Sequence, residues 1–543
     1  MSSLSTSASA IPATDAASAS GRLCVAAAYL ILVPLALSPL LWAAVPPLAD
    51  YPNHLARMWI LAQNGTLPAL ASNYVTDWRV LPDLAMDLVV PPLAQIMPLE
   101  IAGRLFIALS MLTLLGGTVT LHRALHGRAA TPWPLAALLF LYNAAMFWGF
   151  LNCLFGAGMS MLAFSGWIGS RRWSLVSRIA VFAPVAAALL FLHLFAFCFY
   201  GLAVGFYELG QRLAARDFSV RGMLRLCAPA IQFVPGLLLW LESLASAGPR
   251  YTEYGSLGAK VYAAEAPFTF GPKALALDQA SLIFCLGFLI VAILARAVRL
   301  APEMRLTLTA MLAAAVAMPN WLSGSWLADI RLPVILPFLV IASVRLDASR
   351  LRAVGWFAAI AVVLLTVRIW AVSEIWRGTD PMFAEFRAAS RVITPGARLL
   401  VVNDAPTGGR AANGVPSLLA ERSNESFSHM AALAVIDRSA FIPNLFTGWT
   451  SVAPTSRNAG LFLSEAGPLS SALLREGTSV TSDDAAFRQP DSGGAQPYWS
   501  NWPQHFDFVL WVDMDSQPDP GLPMLVPVAR GSFFCIYKVA RPV

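Results

Sequence analysis

The stretch "LADYPNHLARM", residues 48–58, sets Asp50, His54 and Arg57 close together just beyond the chain's first long apolar run. Charged groups at the edge of a bilayer are costly unless they are solvated, paired or put to use. Pro52 fixes its own φ, pushes Tyr51 into an extended conformation and suits the first position of a helix. "PNHLARMWILAQNG" therefore reads as an amphipathic helix lying on the membrane and ending near Gly65. His54 and Arg57, three apart, share one face of it. Asp50 stands just upstream, where the positive helix N-terminus favours a carboxylate. A carboxylate in that position can take the proton of an attacking hydroxyl while Arg or His offsets charge on a departing phosphate. That chemistry suits transfer from a lipid-linked phosphate donor, whose head group sits at the interface. A structural reading fits the same spacing: Asp50 caps the helix or pairs with Arg57.

Other residues could join such a site. His193 lies in the apolar run "LLFLHLFAFCFYG", and Arg331 opens the run "WLADIRLPVILP" beside Asp329, with which it could simply pair. The loop 244–275 carries Arg250, Tyr251, Glu253, Tyr254, Lys260 and Tyr262, a set that suits sugar stacking and phosphate contacts, or an interfacial belt. Asp77, Asp83 and Asp87 match no defined metal-ligand spacing and read as solvated surface. His429 and Arg438 could face a cleft between a C-terminal domain and the membrane.

The elements that must hold these residues follow from composition. Of 543 residues, 57% are hydrophobic and 13% charged, and the mean hydropathy is +0.63. A soluble chain carries about a quarter charged residues, so this is a polytopic membrane protein. The net charge of +6 is spread without a basic nucleic-acid-binding face, which sets that partner class aside. Apolar runs predict about eleven spans, at 22–45, 99–121, 131–149, 151–169, 175–191, 193–211, 223–243, 277–297, 304–319, 330–346 and 353–373. With the N-terminus inside, the cytoplasmic loops 122–130, 170–178, 212–225, 296–305 and 345–352 are all arginine-rich. Asp50, His193 and Arg331 then share the outer face with everything after the last span. The spans themselves carry almost no buried acid, Glu242 falling at a span end.

Residues 1–21 read as a disordered Ser/Ala/Thr-rich tail, 22–375 as the membrane domain, and 376–543 as an exported α/β domain of about 165 residues. The runs "RLLVVND", "FDFVLWVD" and "SFFCIYKVA" supply its strands. The segment "VVNDAPTGGRAANG" is glycine-rich after a strand, but it lacks both GxGxxG and GxxxxGK[ST]. The six cysteines form no CxxC pair and read as small buried hydrophobes.

An acidic residue in the first exported loop, many spans and a C-terminal exported domain together resemble the GT-C class of integral-membrane glycosyltransferases. "ADYPNHLAR" is similar to the Asp-containing loop motif of bacterial members. The resemblance implies a mainly α, polytopic GT-C-like fold in the cytoplasmic (inner) membrane, with the N-terminus cytoplasmic and the C-terminal domain periplasmic. It implies an inverting transfer of sugar from a polyprenyl-phosphate donor to a glycan, lipid-linked saccharide or protein. Asp50 would be the base, and Arg331, Arg57, His54 and His193 would bind the donor phosphate. Tyr251, Tyr254, Lys260 and Tyr262 would contact substrate. No paired Asp-Glu stands at this site, and the reading admits a divalent metal without requiring one. Two alternatives differ in class: a transporter or flippase of lipid-linked sugars, and a non-catalytic sensor or assembly protein. Transporters place charges at mid-membrane and build from repeats, neither of which is visible here.

Overall fold

The computed structural model describes residues 13–63, 65–127, 131–216, 219–244, 252–269, 275–323, 325–404, 427–447, 450–461, 469–477, 497–513 and 521–541. Among them, eight helices are long and apolar enough to cross a membrane: Gly21–Leu41, Leu99–His126, Leu151–Gly169, Leu175–Leu192, Leu194–Ala215, Gly222–Leu244, Ala276–Leu294 and Val354–Val392. The protein is a mainly α, multi-pass membrane protein with a small α/β region at its C-terminal end. The first helix already begins at Ala13, inside the segment read as a disordered tail. Alanine-rich sequence there lets the helix of the span propagate backwards.

Three of the eleven anticipated spans are not long helices. Residues 131–149 form a 3-10 helix, Trp133–Phe140, and a short helix, Ala144–Trp148, because Pro132, Pro134 and the capping Asn143 break the pattern. The other two are Arg305–Ala317, of 13 residues, and Ala328–Ser343, of 16. At a rise of about 1.5 Å per residue they fall short of a ~30 Å hydrocarbon layer. All three still join the same two polar layers. One layer is marked by the antiparallel pairing of Val298–Leu300 with Val344–Leu346, which brings two arginine-rich loops together. The other is marked by Asp50. Trp133 donates its indole N–H to the Ile341 carbonyl near the first layer, while Phe147 and Trp148 accept from the Ala49 and Asp50 amides at the second. Non-helical backbone is tolerated at this depth because neighbouring helices bury it, here Pro134, Leu135, Ala137, Leu138 and Phe140.

Close packing depends on small residues. An ideal Cβ on Gly158 would lie 2.5 Å from the carbonyl carbon of Thr113, so Leu151–Gly169 and Leu99–His126 meet backbone to backbone. The spans also hold charges that the sequence reading passed over. Arg368, 1% exposed, pairs with Asp278 at 3.0 Å and donates to the Tyr142 and Phe268 carbonyls. Arg178 pairs with Glu208 at 3.2 Å and lies over the Trp167 ring. Each acid is buried against an arginine on another helix, which a linear hydropathy profile does not register.

The C-terminal sheet contains the three anticipated strands, Leu399–Asp404, Phe508–Asp513 and Phe534–Val539. The first two pair in parallel and the second and third antiparallel. A fourth strand, Leu525–Arg530, completes the edge and went unread because Pro527 interrupts it; an edge strand with a register shift in its partner accommodates that proline. Most of the glycine-rich segment after Asp404 lies outside the described residues. The C-terminal region grips the first loop directly. Tyr74–Thr76 pairs antiparallel with Val452–Pro454, the Asn73 side chain donates to the Gly396 and Ser439 carbonyls, and Arg387 bridges Glu100 and Asp437 at 2.8 and 2.6 Å. The loop carrying Asp50 and residues 427–447 and 450–458 therefore lie on one side of the membrane.

Candidate functional site

Asp50 is placed by backbone contacts on both sides. The Ala49 and Asp50 amides donate to Phe147 and Trp148 at 2.9 and 3.1 Å. Gly149, at φ +88°, makes the close approach: an ideal Cβ there would stand 3.1 Å from both Asp50 Cβ and Asp50 N. The Asp50 carbonyl accepts from the His54 amide at 3.0 Å, so the helix runs Tyr51–Gln63, starting one residue before Pro52. This helix does not lie open on the membrane as its amphipathic pattern suggested. Nine of its 13 residues are buried, because the C-terminal region roofs it.

The roof meets the helix through hydrogen bonds. The Asn53 amide nitrogen donates to the Asn444 carbonyl at 2.8 Å and lies 3.0 Å from His429 Nδ1, and its Oδ1 accepts from the Phe446 amide at 2.8 Å. His429 Nε2 stands 3.5 Å from Asp50 Oδ1. His54 and His429 both meet the Phe446 ring edge on. The Asp50 side chain is 19% exposed, enough for a small group to reach it. Burial pushes its carboxyl up to about 7 against the opposing charge of Arg331. Burial takes His429 down to about 4, and burial with the Arg57 and His429 charges takes His54 down to about 3, so both rings are neutral at pH 7.

Arg57 does not pair with Asp50. Its guanidinium meets Asp87 at 2.6 Å, with the two side chains 5% and 0% exposed, and the Ser451 hydroxyl donates to the same Asp87 oxygen. Asp87 is thus not solvated surface: the apolar helix Ala85–Leu93 carries it inward against Tyr51–Gln63. Asp77 is solvated, paired with Arg79, and the Asp83 side chain is 54% exposed. No group of three His, Cys, Asp or Glu among the described residues is arranged to hold a metal ion.

Arg331 does not pair with Asp329 either; Asp329 accepts from the Asn320 side chain at 3.0 Å and lies 3.9 Å from Lys260. Arg331 Nη2 donates to Ser325 Oγ at 2.6 Å, and the guanidinium lies 4.8 Å above each of the Phe150 and Phe195 rings. Its Nη1 is 3.3 Å from His193 Nε2. His193 caps the helix Leu194–Ala215, its Nδ1 accepting from the Phe195 amide at 3.0 Å. Arg331 Nη1, which can only donate, and His193 Nε2 converge, and Asp83 stands 3.7 Å from the latter. The guanidinium makes this a cradle for an oxyanion.

The structure thus gathers Asp50, His54, Arg57, His193 and Arg331 into one layer, and the Arg331 charge reaches Asp50. Of the tyrosine loop, Tyr251 lies outside the described residues. Tyr254 is 68% exposed. Lys260 reaches the Met318 carbonyl. Tyr262 accepts from Trp148 at 2.9 Å, and Trp148 packs on Trp326, whose carbonyl Arg331 also reaches. Arg438 is spent on the Ile393 carbonyl. Sequence reasoning missed Asn53, although it sits inside the "DYPNH" motif four residues before Arg57. It also missed Asn152, whose side chain holds the Met86 amide and the Asp83 carbonyl.

No protein-family model matches the chain, and no curated protein matches it by sequence. Among solved structures, the chain is similar to ArnT from Cupriavidus metallidurans in two crystal structures. The one bound to undecaprenyl phosphate has a TM-score of 0.44 and 14% identity, covering 94% of this chain and 97% of that chain. The apo one has a TM-score of 0.43 and 14% identity, covering 96% and 98%.

Proposed function

We propose that this protein is a membrane glycosyltransferase that moves a sugar from a polyprenyl-phosphate donor to a hydroxyl acceptor at the non-cytoplasmic face of the membrane. Asp50 takes the acceptor's proton as its oxygen attacks the anomeric carbon from the side opposite the phosphate. The carbon–oxygen bond to phosphate breaks, the anomeric configuration inverts, and polyprenyl phosphate leaves. Arg331 and His193 hold the phosphate oxygens and offset their charge. Arg57, committed to Asp87, fixes the helix that presents His54, while Tyr262 lines the sugar's side. The acceptor is a glycan, a lipid-linked saccharide or a protein. The opposite layer faces the cytoplasm of a bacterial-type inner membrane, a reading that its arginine-rich loops support for the orientation.

The observation that carries this reading is the combination of a reachable carboxylate with a pKa near 7 and an oxyanion cradle built on Arg331, whose charge acts on it. A general base works best when its pKa lies close to the working pH. The charges of the site sit in one membrane-face layer, as a lipid-borne donor head group requires. The test is transfer of labelled sugar from synthetic polyprenyl-phosphate-linked glucose, mannose and galactose to extracted envelope acceptors by the purified protein in lipid nanodiscs. Wild-type protein is expected to transfer one of them, and Asp50→Asn to lose transfer while inserting normally. Undiminished transfer by Asp50→Asn removes the base assignment.

A further inference from the structure

Asp50 has a neighbour that does not come from its own loop. Residues 427–447 cover the helix Tyr51–Gln63, and His429 is the side chain of that cover that meets the carboxylate, Nε2 to Oδ1 at 3.5 Å. Asn53 decides which ring nitrogen carries the proton. Its Oδ1 accepts from the Phe446 amide and its Nδ2 donates to the Asn444 carbonyl, both at 2.8 Å. Flipping the side-chain amide would set donor against donor and acceptor against acceptor, so its orientation is fixed. The same Nδ2 lies 3.0 Å from His429 Nδ1, which must therefore offer a lone pair. The proton of the neutral ring is left on Nε2, aimed at Asp50.

We infer that His429 is a positioning residue for Asp50: its Nε2–H holds Oδ1 and leaves Oδ2 free to receive the acceptor's proton, so the C-terminal segment completes the site. The inference rests on the proposed role of Asp50 as base. A donor to one oxygen orients the carboxylate and favours its ionised form. The charge acting on Asp50 is Arg331, from the helix Ala328–Ser343; on Asp50's own helix, His54 faces His429 as a neutral ring, and Arg57 is held by Asp87. His429 is thus the neutral donor in this set that faces the carboxylate, and Asn53 is the residue that sets it.

Two measurements test this. In protein labelled with 15N-histidine, the His429 signal, identified by its loss in His429→Gln, is expected to show the Nε2-protonated tautomer. An Nδ1-protonated ring overturns the inference. In the transfer assay, the pH dependence of kcat/KM is compared for wild type, His429→Phe and His429→Gln. Phe keeps the ring volume and burial but cannot donate, so the acid limb should move up by on the order of one unit, with roughly tenfold lower kcat/KM on that limb and recovery at high pH. Gln keeps an N–H and should stay within a few-fold of wild type. An unmoved limb in folded Phe protein, or equal impairment in Phe and Gln, overturns the positioning role. Should the Phe protein fail to fold, the tautomer measurement on wild type decides. Active Asp50→Asn protein would instead remove the base assignment, and it leaves the tautomer result standing, so the two failures are distinguishable.

Discussion

Removing the Asp87 carboxylate should cost the fold more than removing the whole ion pair. Arg57 and Asp87 meet at 2.6 Å with side chains 5% and 0% exposed, so neither is appreciably solvated. Asp87→Ala leaves the guanidinium buried beside a small cavity and an orphaned Ser451 hydroxyl. Breaking a buried pair from one side costs about 3–5 kcal/mol, whereas replacing both partners by apolar residues of similar volume is often neutral. Even about 3 kcal/mol is roughly two orders of magnitude in the folding equilibrium. The expected order of stability is therefore Asp87→Ala lowest, with the double variant Arg57→Met, Asp87→Leu close to wild type. Thermal unfolding in nanodiscs, followed by tryptophan fluorescence, reads this directly. The same proteins are assayed for transfer, because a structural Arg57 lets the double variant keep activity that a phosphate-binding Arg57 would lose. A single variant as stable as wild type, or a double variant less stable than the single, refutes the reasoning.

Four further outcomes follow from the geometry. The folded Asp50 carboxyl titrates at about 7, above the ordinary carboxylate range, and the base must be ionised; wild-type transfer should therefore climb as pH rises through 7, and a flat profile between pH 5 and 8 would contradict it. Arg331 opposes that upward shift, so Arg331→Met should move the acid limb higher as well as lower kcat/KM by about a hundredfold or more, with Arg331→Lys partly active; equal activity of Met and wild type argues against the cradle. Gly149→Ala must adopt φ +88° and find room for a Cβ 3.1 Å from Asp50, costing about 1–2 kcal/mol in backbone strain and shifting the carboxylate by a few tenths of an ångström. Transfer by that variant should fall about three- to tenfold at unchanged pH profile, as kcat measurements would show. Cysteines at Val75 and Ala453, strand partners at about 5.5 Å between Cα atoms, should oxidise to a disulfide identifiable by peptide mass; failure to link separates the first loop from the C-terminal region.

Much of this architecture was legible because it is written in local pattern. The apolar runs placed the membrane segments, and the three β-rich runs of the C-terminal region became strands. The arginine bias separated the loops into two sides, and paired loops 298–300 and 344–346 lie together on one of them. What escaped depends on partners distant in sequence. Asp87 looked like surface because its neighbour Arg57 is 30 residues away, and Asp278 went unnoticed because its arginine is 90 residues later. Arg331 was read beside Asp329, but a helix turns adjacent residues onto different faces, and Asp329 went to Asn320. His429 was seen as a cleft candidate, but nothing near it in sequence names Asp50 or Asn53. Pro527 hid an edge strand for a local reason: proline lowers strand propensity everywhere, yet an edge tolerates it.

The charge that seemed misplaced beside the first span is explained by what covers it. Lipid would bury Asp50 too, but it would offer no hydrogen bond, and a carboxylate facing hydrocarbon would stay protonated or leave for water. The C-terminal segment does something different. It removes most water from Asp50, which raises the carboxyl toward neutrality, and sets the His429 ring 3.5 Å from it, while Arg331 of the helix Ala328–Ser343 supplies the charge that keeps the ionised form accessible. Burial alone would make a strong but permanently protonated group; exposure alone would make an ionised but feeble base. A carboxyl balanced near 7 requires both the roof, from residues 427–447, and the Arg331 cation, from the helix Ala328–Ser343. On the proposed function, the contact between the first loop and residues 427–447 is therefore part of the chemistry as well as of the fold: lifting that segment would hydrate Asp50, return it toward the ordinary carboxylate range and weaken it as a base, even with every residue of the membrane helices in place.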